Sequence, residues 1–215
     1  MKNPPILIVG HAALDEECCE AIIQLHEKAS MTEVVEGDRH NGHFIAVNEE
    51  DGNRMKYLDP MGRISYNVGF DNADFEKIMS WIEDVIPWNE DFQNVSFMQI
   101  IQYPMDSAMP FHQDQADSND TGTIIFNLND DFKGGRHMVD GHQLIPFTGT
   151  MIAFNNSTER WHGVDPILVG ERWVLALWFD RGDDNDDNEV LGAMEAANDE
   201  QNEEIKVFPK AILKQ

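Results

Sequence analysis

Residues 171–180 read Glu-Arg-Trp-Val-Leu-Ala-Leu-Trp-Phe-Asp, which predicts a strand with both faces buried. Successive side chains of a strand point to opposite faces, and here both faces are apolar. One face carries Trp173, Leu175 and Leu177, and the other carries Val174, Ala176 and Trp178. Arg172 enters this strand at its start. Because a buried arginine is rare unless it is paired, we expect it to contact a ligand.

Five segments upstream share this two-residue period and are separated by turn signals: 95–103, 122–128, 135–139, 143–146 and 150–154. Asp140 and Gly141 predict a two-residue hairpin, since both tolerate a positive φ. A short strand at 6–9, a helix from Asp15 and a helix at 72–86 come earlier. The pattern predicts a mainly β fold with flanking helices, an antiparallel sandwich or jelly roll whose N-terminal helices pack on one side.

The length and charge of the chain limit its possible domain organisation. Its 215 residues suit one domain with an appendage, and 15 basic against 40 acidic residues give a formal net charge of −25. Residues 183–204 are acidic and contain neither Lys nor Arg. We therefore assign 1–180 to a folded domain and 181–215 to an acidic tail, whose apolar end at 205–213 would dock on the body. The acidity argues against nucleic-acid and anionic-membrane partners, because both attract Lys and Arg.

The cysteines and apolar runs favour a cytoplasmic protein. Cys18 and Cys19 are adjacent in a helical pattern, where neighbouring side chains point about 100° apart and are badly placed to bridge each other. Such usage is typical of a reducing compartment. The apolar run at 6–9 is shorter than the apolar region of a secretory signal, and no run reaches membrane-spanning length.

His112, Asp114 and His162 are the residues that point to chemistry. Side chains two apart on a strand share a face, so His112 and Asp114 can reach one ion together. Two imidazoles and one carboxylate are the ligand set of non-haem Fe(II) oxygenases, and they leave coordination positions open. The planar fork of Arg172 suits a carboxylate, which predicts that it holds the far end of a keto acid chelated by the metal.

The other histidines are expected to have surface or packing roles. His11, His26, His40 and His43 have no second ligand type at useful spacing. His137 and His142 flank the predicted turn at Asp140-Gly141, so we expect both to be exposed hairpin residues and not a second metal site.

An ordered set of motifs links these residues to a known family. The set comprises Tyr103-Pro104, His112-Gln113-Asp114, Phe132-Lys133-Gly134-Gly135, Pro146-x-x-Gly149-Thr150, His162-Gly163-Val164, Gly170-Glu171-Arg172 and Trp178-Phe179. It resembles the 2-oxoglutarate- and Fe(II)-dependent dioxygenases, and within them the prolyl-4-hydroxylase-like branch. The resemblance covers most of residues 1–180.

This resemblance implies a double-stranded β-helix, with Fe(II) as the metal, 2-oxoglutarate as the cosubstrate and ascorbate as a further candidate cofactor. His112, Asp114 and His162 would hold the iron, and Arg172 the distal carboxylate. Tyr103 matches a family tyrosine that lines the cosubstrate pocket. Asn127 stands where several relatives have a tyrosine that contacts the distal carboxylate. Trp178 matches a strand tryptophan near the substrate of peptidyl prolyl hydroxylases.

Three functions remain open from the sequence. The first is hydroxylation of a prolyl residue in a peptide or protein, and the second is the same oxidation of a free amino acid or other small molecule. The third is a catalytically silent metal-binding or interaction domain, against which the intact ligand set argues. For the first function we expect residues 31–70 to form a flexible lid over an open groove beside Trp178. Five glycines of this segment could act as hinges: Gly37, Gly42, Gly52, Gly62 and Gly69.

Overall fold

The computed structural model describes residues 7–31, 39–40, 43–44, 55–114, 120–156 and 160–182. The helices are α1 (Glu16–Glu27) and α2 (Ala73–Ile82), and a 3-10 turn (Glu83–Val85) follows α2. The earlier strands are β1 (Leu7–Gly10), β2 (Ser30–Met31), β3 (Arg39–His40), β4 (His43–Phe44), β5 (Met55–Leu58), β6 (Ile64–Asn67), β7 (Asn94–Tyr103) and β8 (Met109–His112). The later strands are β9 (Asp120–Asn127), β10 (Lys133–Gly134), β11 (His137–Val139), β12 (His142–Leu144), β13 (Met151–Asn155), β14 (His162–Val164), β15 (Ile167–Val169) and β16 (Arg172–Asp180).

Both helices begin where a polar side chain caps the first turn. The carboxylate of Asp15 accepts a hydrogen bond from the Cys18 backbone N–H at 2.8 Å, which starts α1 at the predicted residue. Asn72 caps α2 in the same way through the Asp74 backbone N–H at 2.9 Å. Cys18 and Cys19 are both free.

Two sheets form the body of the fold. The large sheet has eight strands in the order β1-β13-β9-β16-β7-β6-β5-β2, and the small one has four in the order β12-β11-β14-β8. In the large sheet β16 lies centrally, antiparallel to β7 on one side and to β9 on the other. Such an antiparallel arrangement of a large and a small sheet, with helices on one side, confirms the predicted mainly β jelly-roll class.

The alternation of β16 decides which side chains reach the space between the sheets. Leu175, Leu177 and Phe179 belong to the apolar cluster that includes residues of α1 and α2. The other set, with Val174 and Trp178, packs in a cluster that also contains residues of β8 and β14 of the small sheet. Arg172 has the same parity as this second set, and it is therefore carried toward the interior of the sandwich.

The predicted hairpin is present. Asp140 and Gly141 have φ of 48° and 80°, and they join β11 to β12 with Val139 opposite His142. Strand β8 ends at His112, which was predicted to lie on a strand, whereas β14 and β15, of three residues each, were not predicted.

The prediction that 31–70 forms a lid is wrong for its second half. Strands β5 and β6 extend the large sheet beside β7, and Tyr57, Tyr66 and Val68 are buried. These aromatic side chains anchor the segment, which the glycine count alone did not reveal. The remainder of the lid prediction falls largely on 32–38, 41–42 and 45–54, and the predicted tail on 183–215, outside the described residues.

Gly149 and Gly141 provide a matched test of the fold. Both have positive φ, at 74° and 80°, but a Cβ on Gly149 would lie 2.0 Å from the Leu14 carbonyl oxygen, while one on Gly141 would meet nothing within 4 Å. We expect Gly149→Ala to lower the free energy of unfolding by about 3 kcal/mol or more, against about 1 kcal/mol for Gly141→Ala. Urea unfolding of both variants measures this, and equal losses would contradict it.

Candidate metal centre

Strands β8 and β14 bring the three predicted metal ligands together. His112 is the last residue of β8 and pairs directly with His162, the first residue of β14. Asp114 follows two residues after His112, so both side chains leave the chain on the same side. The spacing within the first motif and the pairing of two strands distant in sequence thus produce one cluster.

The ligand atoms converge on a volume that suits one ion. The Asp114 Oδ1 lies 3.1 Å from Nε2 of His112 and 3.2 Å from Nε2 of His162, and the two ring centroids are 4.2 Å apart. Two ligands at right angles around an ion, each bonded at about 2.1 Å, are separated by about 3.0 Å. Within the described residues, His112, Asp114 and His162 form the one His, Cys, Asp or Glu group of three that could hold a metal.

Neighbouring groups orient the ligands. The ring Nδ1 of His112 lies 2.9 Å from the carbonyl oxygen of Pro110, so it can carry the proton and leave Nε2 open for a metal. Oδ2 of Asp114 accepts hydrogen bonds from Thr123 Oγ1 at 2.7 Å and from Trp178 Nε1 at 3.0 Å. This leaves Oδ1 directed at the two imidazoles.

The protonation states follow from burial and charge. Burial by itself would raise the pKa of Asp114, but the two imidazoles hold this pKa well below its ordinary value. Burial lowers the pKa of His162, although Asp114 opposes the shift. An ionised carboxylate beside a neutral imidazole is the state that a divalent cation requires of its ligands.

Arg172 is a buried cation with unused donors. Its side chain is 1% exposed; Nη2 donates to Asn127 Oδ1 at 2.8 Å, while Nε and Nη1 have no hydrogen-bond partner in the described chain. The guanidinium lies 5.5 Å from the ring centroid of Tyr103. Burial lowers the pKa of Arg172 to about 10, so the group remains charged at neutral pH.

Arg63 shows how a buried arginine is compensated in the same region. Its Nε contacts Asp59 Oδ2 at 2.6 Å, and its Nη1 donates to the Tyr103 hydroxyl at 3.4 Å. Arg172 has no such carboxylate among the described residues. Because an unpaired buried charge is costly, the missing anion of Arg172 is expected to come from a ligand.

The residues predicted to bind cosubstrate or substrate make additional contacts within the protein. Asn127 orients Arg172, and its own amide nitrogen donates to the Thr150 carbonyl at 3.4 Å. Tyr103 lies between the two arginines. Trp178 is buried with its indole N–H on Asp114, a role that sequence reasoning missed together with that of Thr123. The position of Thr123 directly before the apolar residues 124–126 of β9 was the available signal. Ligand contacts of Tyr103, Asn127 and Trp178 stay predictions.

The prediction that His137 is exposed is wrong. Its side chain is 1% exposed, and neither ring nitrogen has a hydrogen-bond partner among the described residues. Its ring centroid lies 6.2 Å from that of His162. His142, across the turn, is exposed as predicted. His26 packs as predicted, with Nε2 2.9 Å from the Ile64 carbonyl oxygen.

Residues 98–180, which contain the three predicted metal ligands and Arg172, match the 2OG-Fe(II) oxygenase superfamily. We call this matched region the oxygenase domain. Its cofactors are accordingly Fe(II) and 2-oxoglutarate, as the resemblance implied. Solved structures of prolyl hydroxylases share the fold of this domain, which confirms the predicted likeness to those enzymes.

Two solved structures illustrate the shared fold of the oxygenase domain. A prolyl hydroxylase from Trichoplax adhaerens, in complex with a hypoxia inducible factor oxygen degradation domain peptide fragment, aligns with a TM-score of 0.58 and 15% identity, covering 84% of this chain and 87% of that one. The viral collagen prolyl hydroxylase of Paramecium Bursaria Chlorella virus-1 gives 0.54 and 17%, covering 80% and 94%.

Curated relatives of the oxygenase domain match over a shorter stretch. Prolyl 3-hydroxylase 2 of rat and of human is 34% identical over an alignment of 64 residues, with 26% of this chain covered. The match spans 9% of the length of those relatives.

The described residues fit both cofactors of the oxygenase domain. Two imidazole nitrogens and one carboxylate oxygen form a donor set that suits Fe(II) and leaves positions open for other ligands. The unpartnered Nε and Nη1 of Arg172 offer two N–H groups to a carboxylate, such as the one at the end of 2-oxoglutarate opposite its keto acid group. The buried guanidinium of Arg172, which has no carboxylate partner among the described residues, is the observation that most favours 2-oxoglutarate binding.

A tryptophan pair on β16 tests the hydrogen bond to Asp114. Trp178→Phe removes the donor from Oδ2, and we expect Fe(II) affinity to fall about tenfold, since groups that orient ligands contribute on this scale. Trp173→Phe is the matched control, because Trp173 is also buried but belongs to the cluster with the helices. Competition with a metal-sensitive dye measures both affinities. Equal affinities in the two variants would contradict the role of Trp178.

Among the described residues no helix is long and apolar enough to cross a membrane.

Proposed function

We propose that this chain is an Fe(II)- and 2-oxoglutarate-dependent hydroxylase that acts on a prolyl residue in a peptide or protein. The observation that carries the proposal is the convergence of His112, Asp114 and His162 in the same interior as the unpaired Arg172. We place this activity in residues 1–180 and treat 181–215 as an acidic tail outside the catalytic unit.

Each residue has a distinct task in this reaction. His112, Asp114 and His162 would hold the iron, while Thr123 and Trp178 keep the carboxylate of Asp114 in place. When bound, Fe(II) and 2-oxoglutarate would supply the oxidation: one atom of dioxygen enters a C–H bond of the substrate, and the other enters the succinate that forms as 2-oxoglutarate loses carbon dioxide. Arg172 would anchor the distal carboxylate of 2-oxoglutarate and Asn127 would hold Arg172 in position.

The placement of the three ligands supports access by a polypeptide. Asp114 and His162 are buried, whereas the His112 side chain is 26% exposed, so the centre reaches solvent on the His112 side. The prolyl 3-hydroxylase relatives and the peptide-bound prolyl hydroxylase lend further support to a prolyl substrate. With a net charge of −25, the protein should attract neutral or basic peptides more than acidic ones, most strongly at low salt.

Mass spectrometry of peptide products tests the proposal. Iron-loaded full-length protein, with 2-oxoglutarate and ascorbate, is incubated with proline peptides flanked by Lys or Arg, with the same peptides flanked by Asp or Glu, and with free proline. We expect a gain of one oxygen atom on proline, fastest for the basic peptides and absent in a His162→Ala control. Faster oxidation of free proline than of every peptide would overturn the peptide assignment in favour of a small-molecule hydroxylase.

A further inference from the structure

His137 is a buried imidazole that the proposed site does not yet use. Within the described residues neither of its nitrogens has a hydrogen-bond partner, although the side chain is 1% exposed. A buried polar group without a partner costs free energy. His137 therefore either lowers the stability of the fold or contacts a ligand that supplies the missing hydrogen bond.

The position of His137 indicates which ligand it meets. Strand β11 pairs with β14, so Val139 lies opposite His162, and His137 lies on the same face two residues away. Its ring faces the interior of the sandwich, with its centroid 6.4 Å from the ring of Phe154 on β13 and 6.2 Å from the ring of His162.

Arg172 lies close to the stretch of chain that leads into β11. Just before His137 the chain runs along the arginine, and a Cβ on Gly135 would lie 3.4 Å from the Arg172 Cδ. After burial, the positive charge of Arg172 is the strongest influence on the pKa of His137, which lies well below its ordinary value. His137 is thus a neutral imidazole with one N–H donor and one acceptor, near His162 on the neighbouring strand and two residues after the Gly135 contact with Arg172.

We propose that His137 is a binding residue for 2-oxoglutarate, and that its ring N–H donates a hydrogen bond to the carboxylate that pairs with Arg172. The inference rests on the proposed function, because it requires that 2-oxoglutarate occupies this interior. Arg172 supplies the charge, and His137 supplies a second donor from the small sheet. The distal carboxylate is then held from both sheets of the sandwich.

If His137 donates to the distal carboxylate, its removal should weaken the binding of a keto acid that carries this carboxylate and spare one that lacks it. In anaerobic titrations of the Fe(II)-loaded full chain, we expect His137→Leu to raise the Kd for 2-oxoglutarate about tenfold or more. The Kd for 2-oxobutyrate, a keto acid that lacks the distal carboxylate, should stay unchanged. His142→Gln is the control, since His142 lies exposed across the same hairpin.

Stability gives a second, independent readout. Leucine removes the unpartnered polar group, so we expect the Tm of ligand-free His137→Leu to equal or exceed that of the wild type, while the rise in Tm on adding 2-oxoglutarate shrinks. A residue with only a structural role would lower the ligand-free Tm and leave the ligand-induced rise intact.

The outcomes separate this inference from the proposed function. If wild-type protein binds Fe(II) but not 2-oxoglutarate, the proposed function fails. If wild type and His137→Leu bind 2-oxoglutarate equally, or if His137→Leu weakens the binding of 2-oxoglutarate and 2-oxobutyrate equally, the role of His137 fails while the function stands.

Should the leucine variant not hold metal, NMR of the wild-type ring decides instead. In Zn(II)-substituted protein the His137 N–H signal, identified by its loss in His137→Gln, must shift with 2-oxoglutarate and not with 2-oxobutyrate.

Discussion

Asp114→Ala protein is expected to lose stoichiometric Fe(II) and all turnover of 2-oxoglutarate. The carboxylate lies within 3.2 Å of Nε2 of both imidazoles and is the one anionic ligand of the described cluster. Its removal leaves two neutral ligands to hold a divalent ion, and metal affinity should fall by more than about 100-fold. Metal analysis after gel filtration, with titration of Fe(II) or Mn(II), measures the loss.

Asp165→Ala is the control for this substitution. Asp165 pairs with Arg136 at the surface, and its removal changes the net charge equally without touching the cluster. Unchanged iron content and 2-oxoglutarate turnover in Asp114→Ala would show that the cluster is not the metal centre.

Replacing Arg172 with alanine should weaken 2-oxoglutarate binding while leaving the metal in place. The lost charge-assisted pair, in a site where the guanidinium is 1% exposed, should cost about 2–5 kcal/mol of binding free energy. This corresponds to a Kd about 30-fold higher or more. Arg172→Lys retains the charge but loses the planar fork, so its Kd should lie between those of alanine and wild type. Anaerobic calorimetry with Fe(II)-loaded protein measures all three.

A thermal measurement distinguishes the binding role of Arg172 from a structural one. Without ligand the buried charge is unpaired, so Arg172→Ala should lose the rise in Tm that 2-oxoglutarate produces while iron content is kept. Arg136→Ala, which removes a surface arginine, should retain that rise. Equal Kd values for 2-oxoglutarate in Arg172→Ala and wild type would reject the anchoring role.

Local patterns in the sequence were enough to predict the structural elements that depend on neighbouring residues. Asp15 caps α1 because its carboxylate reaches the backbone three residues away, and the Asp140-Gly141 hairpin forms because both residues adopt positive φ. The alternation along β16 similarly indicated a strand with two buried faces. The predicted pair of His112 and Asp114 was also readable from their spacing alone, whereas His162 was found through its own motif, His162-Gly163-Val164.

Tertiary structure decided the contacts between segments far apart in the chain. Asp114 meets Trp178 from 64 positions away, and Arg172 meets Asn127 from 45. No local period records such partners, because they depend on which strands become neighbours. The pairing of β16 with β9 sets Trp178 opposite Thr123, so that both reach the same carboxylate oxygen.

His137 is the clearest case in which the exposure predicted from the sequence differs from the burial in the tertiary structure. A turn signal three residues away predicted exposure, and that signal was correct for the turn and for His142. Exposure, however, depends on what covers a strand. β11 lies between β12 and β14, and its His137 face turns toward the large sheet, so the side chain is buried. The sequence by itself indicated the helix start, the hairpin and the pairing of His112 with Asp114, because these depend on residues a few positions apart. Only the packing of two sheets decided that an imidazole shares their interior with an unpaired arginine.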